Sequence, residues 1–455
     1  MTLATDSNLT YDLVVVGAGP GGYEAAAHAA QLGARVAIVE EDRVGGACLN
    51  VGCIPMKTFL RSARLVAECR NAAAFGVEVS GVRLDLGLVA QRKDKIVGTL
   101  TRGVEGLLQR SGVEVVRGRG VLASRSSVRV GDQTLAARNI LVATGSRPMV
   151  PPIPGIDSPS VLDSTAALAL REMPQSVAII GGGYIGLEFA SFFAAAGVPV
   201  TIVEMLPRIA AGADQDIANR LAQSLKRSGV TIRTSCRVTA VEGNTLRFEE
   251  AGSADAVTAD CIINATGRVP VVEGLGLAEA GVEFDRKGIR TNDLGRTNVP
   301  GVWACGDVTG RLLLAHAATR EGLVAVNNML GRPDRIRYGA IPAVMYTHPE
   351  MASVGRTEDE LKAAGIEYKK ALLPMGVAGR YLIENEGSPG VIKALVGARH
   401  GEILGVHALT DLASEFIVVA AQMIEMEMTV ADVERVVFPH PTVGEALKAA
   451  VLAAA

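Results

Sequence analysis

The sequence predicts an α/β protein of several domains, at least two of which are built to bind a dinucleotide. Three observations predict it. A strand–glycine turn–helix–strand unit occurs twice, both copies end in an acid at the same spacing, and both lead to a later strand closing on Ala-Thr-Gly.

The first unit, residues 12–40, opens with an apolar run that reads as a strand and turns at Gly17. Gly17, Gly19 and Gly22 form G-x-G-x-x-G, an Ala-rich helix runs to Gly33, and a second apolar strand ends at Glu40. Gly17 permits the tight turn, Gly19 lets a diphosphate approach the backbone, and Gly22 lets helix and strand pack closely. The diphosphate then meets the free N–H groups and positive dipole end of the helix. Glu40, 23 residues after Gly17, can accept hydrogen bonds from ribose hydroxyls. This Rossmann-like pattern recurs over 176–204 with Gly181, Gly183, Gly186, a helix stop at Gly197, and Glu204, again 23 residues from its first glycine. A carboxylate at 204 pairs with a free 2′-hydroxyl and repels a 2′-phosphate. Arg208 is the only nearby base, so the second site is expected to prefer NAD over NADP.

The closing strands read ILVATGSRP, with Thr144 and Gly145, and IINATGRVP, with Gly267. From Gly17 to Ala143 is 126 residues and from Gly181 to Ala265 only 84, so the first copy carries about 42 extra residues. The extra stretch holds a cysteine pair. Pro148, Pro151, Pro152 and Pro154 mark the crossing from one copy to the next.

Size and composition agree with a multidomain enzyme. A chain of 455 residues exceeds one ordinary core, and 49% hydrophobic with 20% charged residues suits a globular protein. A net charge of −3 gives no reason to expect nucleic acid or an anionic membrane as partner. No uninterrupted apolar run reaches the roughly 18 residues of a membrane span. The start, MTLATDSNLT, lacks the basic end and apolar stretch of a secretion signal, so a cytoplasmic location is expected.

Six cysteines are too sparse for a disulfide-stapled scaffold. Cys69, Cys236, Cys261 and Cys305 stand alone in apolar surroundings and read as packing residues. Cys48 and Cys53 are the one close pair, and with no second pair or nearby histidine a metal site is not expected. An apolar-periodic helix runs from about Ile54, with Pro55 in its first turn. Cys53 therefore stands at the helix N-terminus, where the dipole favours a thiolate, and Lys57 adds positive charge one turn on. In a straight helix residues five apart have Cα atoms roughly 8.6 Å apart, whereas a disulfide needs about 4.4–6.8 Å. If the bond forms, the chain must bend between the cysteines, and Gly52 allows it.

His440 lies between two prolines, in an extended segment before a last helix. Thr442 and Glu445 match a T-x-x-E capping box, which is one explanation for the acid. Of the other histidines, His28 lies within a predicted helix, and His316, His348, His400 and His407 are not expected to pair with an acid. Catalysis by His440 and a purely structural role both fit this spacing.

Together these motifs resemble the dihydrolipoamide dehydrogenases, within the two-cysteine flavoprotein disulfide reductases, over nearly the whole chain. GGACLNVGCIPMK (45–57) is similar to the family's redox stretch, VWACGDVTG (302–310) to its second flavin motif, LAHAATREG (314–322) to the segment beside the flavin, and HPTVGE (440–445) to its His–Glu pair. The resemblance implies FAD in the first site and NAD in the second. It implies an FAD domain of residues 1–150 and 275–340, an NAD domain of 151–274, and an α+β interface domain of 341–455 that forms a homodimer. It implies that Asp307 binds the ribityl chain, that Cys53 faces the flavin, and that Cys48 exchanges with substrate. Lys57 would sit near flavin N5, paired with Glu188. Gly120, Ala315, His316 and Val238 join the implied cofactor contacts. His440, oriented by Glu445, would be the base, acting on the cysteines of the other subunit. Glu24 holds the place of Glu188 in the first copy, so an acid there also suits a helix start.

The implied activity is oxidation of a dihydrolipoyl dithiol to its disulfide, with hydride transfer to NAD. The implied partner is a lipoyl-bearing domain of a 2-oxoacid dehydrogenase or glycine cleavage system. Met56, Phe438–Pro439 and Gly444 depart from the usual pattern, which leaves the preferred disulfide open. The rivals are a glutathione- or mercuric-type reductase using NAD(P)H and a non-catalytic flavin-binding subunit.

Overall fold

The computed structural model describes residues 10–387 and 390–455, so all but the last residue of the MTLATDSNLT stretch lies outside the described part. The chain forms two compact units, one of Met1–Pro55, Ala90–Met149 and Arg268–Ile336, the other of Met56–Val89, Val150–Gly267 and Arg337–Ala455.

In the first unit a parallel sheet runs in the order Glu114–Arg117, Val36–Glu40, Tyr11–Val16, Gln133–Val142 and Val302–Ala304. Its central strands are continuous apolar runs because both faces are covered; Val14, Val15, Ala37 and Ile38 have no exposed surface. The N-terminal half of Gln133–Val142 turns antiparallel against Ser127–Val130, which pairs with Gly120–Ser124. The helix Pro20–Gln31 follows the glycine turn.

The second unit holds the same order again. Val230–Arg233, Val200–Val203, Val177–Ile180, Cys261–Asn264 and Val161–Leu162 form a parallel sheet, with an antiparallel meander over 236–258. The helix Tyr184–Ala195 follows the second glycine turn. The unit also holds a five-stranded antiparallel sheet in the order Ala343–Met345, Glu350–Gly355, Ile403–Thr410, Val391–Gly397 and Tyr368–Pro374. Helices Ala413–Glu425 and Glu445–Ala453 cover it with a core that includes Ile417, Ala420, Leu447 and Val451. No helix among the described residues is long and apolar enough to cross a membrane.

Between its second and third strands the second copy places one helix, Gln215–Arg227. In the first copy that connection carries Gly46–Val51, Cys53–Arg70 and Leu86–Arg110.

Candidate active site and nucleotide-binding sites

The two glycine turns make matching backbone contacts. The Gly17 amide donates to Val39 O at 2.8 Å and the Gly181 amide to Val203 O at 2.9 Å. A side chain at Gly17, where φ is +101°, would meet Ala143 O at 2.4 Å; at Gly181, φ +106°, it would meet Ala265 O at 2.5 Å. A Cβ at Gly22 or Gly186 would fall about on the carbonyl of the first glycine, at 1.9 and 2.1 Å. Gly19 and Gly183 differ. Nothing lies nearer than 3.9 Å to a Cβ built on the one, and nothing within 4 Å on the other. Both helices start there without a side-chain cap, and the positive end of a helix start favours an anion.

The acids complete the likeness. Glu40 accepts the Ala18 and Asp42 amides at 2.8 and 2.9 Å; Glu204 accepts the Gly182 and Leu206 amides at 2.5 and 2.7 Å. Each carboxylate is fixed beside its glycine turn. Arg208 is engaged elsewhere, donating to Ala211 O at 2.8 Å and lying 3.7 Å from Asp359. Open glycines, uncapped helix starts and anchored acids fit a dinucleotide at both places.

Other residues singled out in the sequence frame the first fold. Asp307 sits in the turn Gly306–Thr309 and accepts the Ser146 hydroxyl at 2.5 Å; burial pushes its carboxyl above the ordinary range, against the pull of Ser146 and Arg268. Ala315 and His316 begin the helix Ala315–Met329. From that helix buried Glu321 reaches back to accept the Gly306 amide at 2.6 Å. Thr144 donates to Val271 O at 2.8 Å, and Gly145 O accepts the Val271 amide. Gly145 and Gly267 both have positive φ. Gly120 is buried, and a side chain there would meet Val16 Cγ1 at 2.9 Å. In the second fold Val238 lies on Cys236–Glu242 at a bulge.

Cys48 lies within Gly46–Val51 and Cys53 is the first residue of Cys53–Arg70. The helices break at Gly52, with φ −136° and ψ −107°. A Cβ there would meet Ala47 O at 2.9 Å, so the bend is built for glycine. The other cysteines are Cys236, Cys261 and Cys305, buried, and Cys69, partly so; burial pushes the Cys261 thiol to about 11 and Cys305 higher still.

Four residues on from Cys53, Lys57 donates to both oxygens of buried Glu188 at 2.7 and 2.8 Å. Sequence reasoning missed a third member. The Tyr346 amide donates to Glu188 at 3.0 Å and its ring lies under Lys57 Nζ at 4.6 Å. Tyr346 carries no motif, and only the tertiary fold brings it there.

His440 Nδ1 faces Glu445 Oε1 at 2.9 Å, and the imidazole is 78% exposed, so its Nε2 edge can meet a substrate. The capping box is only half formed. Glu445 Oε2 accepts the Thr442 amide at 2.9 Å, but the Thr442 hydroxyl turns back to Pro439 O and the helix begins at Glu445, after Gly444. The amide of Thr442 and His440 together hold the Glu445 carboxyl below its ordinary range. The acid thus serves both readings at once. A second imidazole, His348, faces Asp411 at 3.2 Å across a separation the sequence could not reveal. The cysteines belong to the first unit; Lys57, Glu188, His440 and Glu445 belong to the second.

Known proteins resemble this chain over nearly its whole length. Residues 11–322 match the pyridine nucleotide-disulphide oxidoreductase model, and 341–451 match the dimerisation domain of the same group. The chain is 41% identical to dihydrolipoyl dehydrogenase 3 of Pseudomonas aeruginosa, over 97% of both chains. It is 40% identical to dihydrolipoyl dehydrogenase of Thermus scotoductus, over 96% of both. Among solved structures, LpdA of Mycobacterium tuberculosis superposes with a TM-score of 0.90 at 26% identity, covering 97% of this chain and 99% of that one. The HOCl-induced flavoprotein disulfide reductase RclA of Escherichia coli gives 0.86 at 29% identity, over 97% and 99%. With two dinucleotide folds, a cysteine pair set into the first, and these likenesses over its length, the chain belongs to the pyridine nucleotide-disulphide oxidoreductases.

Proposed function

We propose that this chain is a dihydrolipoyl dehydrogenase, oxidising the dithiol of a dihydrolipoyl group through Cys48 and Cys53, with FAD held by the first nucleotide fold and NAD by the second. One observation carries the reading: the cysteines flank a helix break inside the copy of the fold that alone carries the insertion. Residues 1–150 and 275–340 form the FAD domain in this reading, 151–274 the NAD domain and 341–455 the interface of a homodimer. The match to a dimerisation domain supports the last of these.

Gly17, Gly19, Gly22, Glu40 and Asp307 would hold FAD; Gly181, Gly183, Gly186 and Glu204 would hold NAD. When bound, the two cofactors supply the two-electron carrier chemistry that no side chain provides. The protein's own residues handle sulfur and protons. His440, its Nδ1 fixed by Glu445, takes the proton of one substrate thiol at Nε2. The resulting thiolate attacks Cys48 Sγ of the Cys48–Cys53 disulfide, and Cys53 leaves as a thiolate. The helix N-terminus at Cys53 favours that negative charge. The second substrate thiol closes the product disulfide, and its proton passes to Cys48. Two electrons then rest on the cysteines, with one proton on Cys48 and one on His440. The base of one subunit serves the cysteines of the other.

The partner proposed is a lipoyl-bearing domain of a 2-oxoacid dehydrogenase or glycine cleavage system, in the cytoplasm. Anaerobic titration of the yellow protein with dihydrolipoamide, then NAD or NADP, tests the assignment. A long-wavelength thiolate–flavin band followed by NADH formation supports it. Turnover only with NADPH and glutathione disulfide overturns it.

A further inference from the structure

The two Ala-Thr-Gly words do more than end matching strands. The residues that follow them, Ser146–Pro148 and Arg268–Pro270, pair antiparallel, with Pro270 opposite Ser146 and Arg268 opposite Pro148. The residue directly after each word is Ser146 in one copy and Arg268 in the other. They meet. Arg268 Nε donates to Ser146 Oγ at 2.7 Å, and its terminal nitrogen donates to Ser146 O at 2.6 Å. Ser146 Oγ in turn donates to Asp307 Oδ2 at 2.5 Å, while the guanidinium stays 4.0 Å from that carboxylate.

A serine hydroxyl has one proton and two lone pairs. With Arg268 donating to it, its single hydrogen must point away, and it points at Asp307. Charge-assisted chains of this kind polarise each member and fix its direction. The Ser146 bond thereby takes one acceptor site of Asp307 Oδ2 and fixes the direction of the carboxylate, whose other sites can accept from a hydroxylated ligand. We propose that Arg268 and Ser146 are positioning residues that aim Asp307 at the ribityl chain of the flavin. The inference rests on the reading of Asp307 as a flavin ligand.

The test uses purified protein stripped of flavin, with the Kd for FAD measured by fluorescence titration. Wild type, Ser146→Ala, Arg268→Met, the double variant and Asp307→Asn are compared. Hydrogen bonds to charged groups contribute enough that each single variant is expected to bind FAD roughly 10-fold or more weakly. The double variant is expected to be within about threefold of the weaker single one, because the two act in series. If Arg268→Met binds within about twofold of wild type, or if the two losses multiply, the relay is overturned while Asp307 keeps its role. If Asp307→Asn itself binds FAD as wild type does, the ligand reading falls and the relay with it. Ser146→Ala removes a single oxygen and tests the relay alone should Arg268→Met fail to accumulate.

Discussion

The two nucleotide folds share the backbone contacts of the first and third glycines and both anchored acids, yet they differ at the eighth residue of the motif. Glu24 in the first copy is half-exposed. Glu188 in the second is 5% exposed and neutralised by Lys57. A buried carboxylate is tolerable only with a partner. The second copy gains that partner from the helix that the first copy's insertion supplies. The comparison teaches that the turn is fixed by sterics, whereas function is added between and after the shared strands.

The strongest way to break this comparison is to remove what only the first copy carries. Cys48→Ser or Cys53→Ser is expected to lower dihydrolipoamide:NAD turnover about a thousandfold or more, because no other group forms the mixed disulfide. FAD content, read by absorbance, should stay near wild type. Turnover within tenfold of wild type would show that the insertion is not the redox device.

Next comes what only the second copy carries. Asp214 caps its helix Gln215–Arg227 and is bound by Lys393 of the antiparallel sheet, which also reaches Asp216 and Glu358 at 2.8 and 2.6 Å. Lys393 is 1% exposed. Lys393→Met takes the cation from Asp214 and Asp216, leaves Glu358 only Lys362 and Lys370, and should cost about 3–5 kcal/mol, read by denaturant unfolding. Burial opposes ionisation of Glu358, but hydrogen bonds from Lys393, Lys362 and Lys370 outweigh it and hold the carboxyl well below its ordinary range. Burial likewise opposes the charge on Lys393, and its three acids outweigh it and push the amine above its ordinary value. A depressed acid stabilises the fold above its unfolded pKa and loses that effect as pH falls through the folded value. A raised amine does so below its unfolded pKa and loses it as pH rises through the folded one. Wild-type stability should therefore hold between the ordinary carboxylate and lysine ranges and fall outside them, with Lys393→Met showing a flatter profile.

The anchored acids sharpen the comparison at moderate effect. Glu204→Ala orphans two amides and should raise the KM for NAD about tenfold, leaving FAD retention unchanged. Glu40→Ala should do the reverse. Crossed effects would mean that the two folds exchange cofactors.

The smallest effect separates two glycines of one motif. Gly183→Ala meets only open space, so unfolding stability should change by less than about 0.5 kcal/mol while NAD binding weakens. Gly186→Ala collides with Gly181 O and should destabilise the fold instead. Equal losses of stability would refute the distinction.

What the sequence revealed was local. The glycine spacing, the terminal acids, the break at Gly52 and the His440–Glu445 pair all lie within short windows, where one periodicity or one turn determines geometry. What it hid was long-range. Tyr346 beneath Lys57, His348 against Asp411 and the acids around Lys393 join residues with no shared pattern along the chain, and the matching Ala-Thr-Gly words did not by themselves show that Arg268 meets Ser146. Thr442 misled for another reason: its spacing suits a cap, but His440 takes one Glu445 oxygen and the helix starts later.

The ribbon of Ser146–Pro148 with Arg268–Pro270 also bears on how such a chain could arise. Because the outgoing and returning strands are hydrogen-bonded neighbours, everything from Met149 to Gly267 leaves and comes back through one doorway. A duplicated gene segment spliced in at that point would interrupt no sheet of its host. Joining the second copy to the first along the chain would then demand a single hairpin junction.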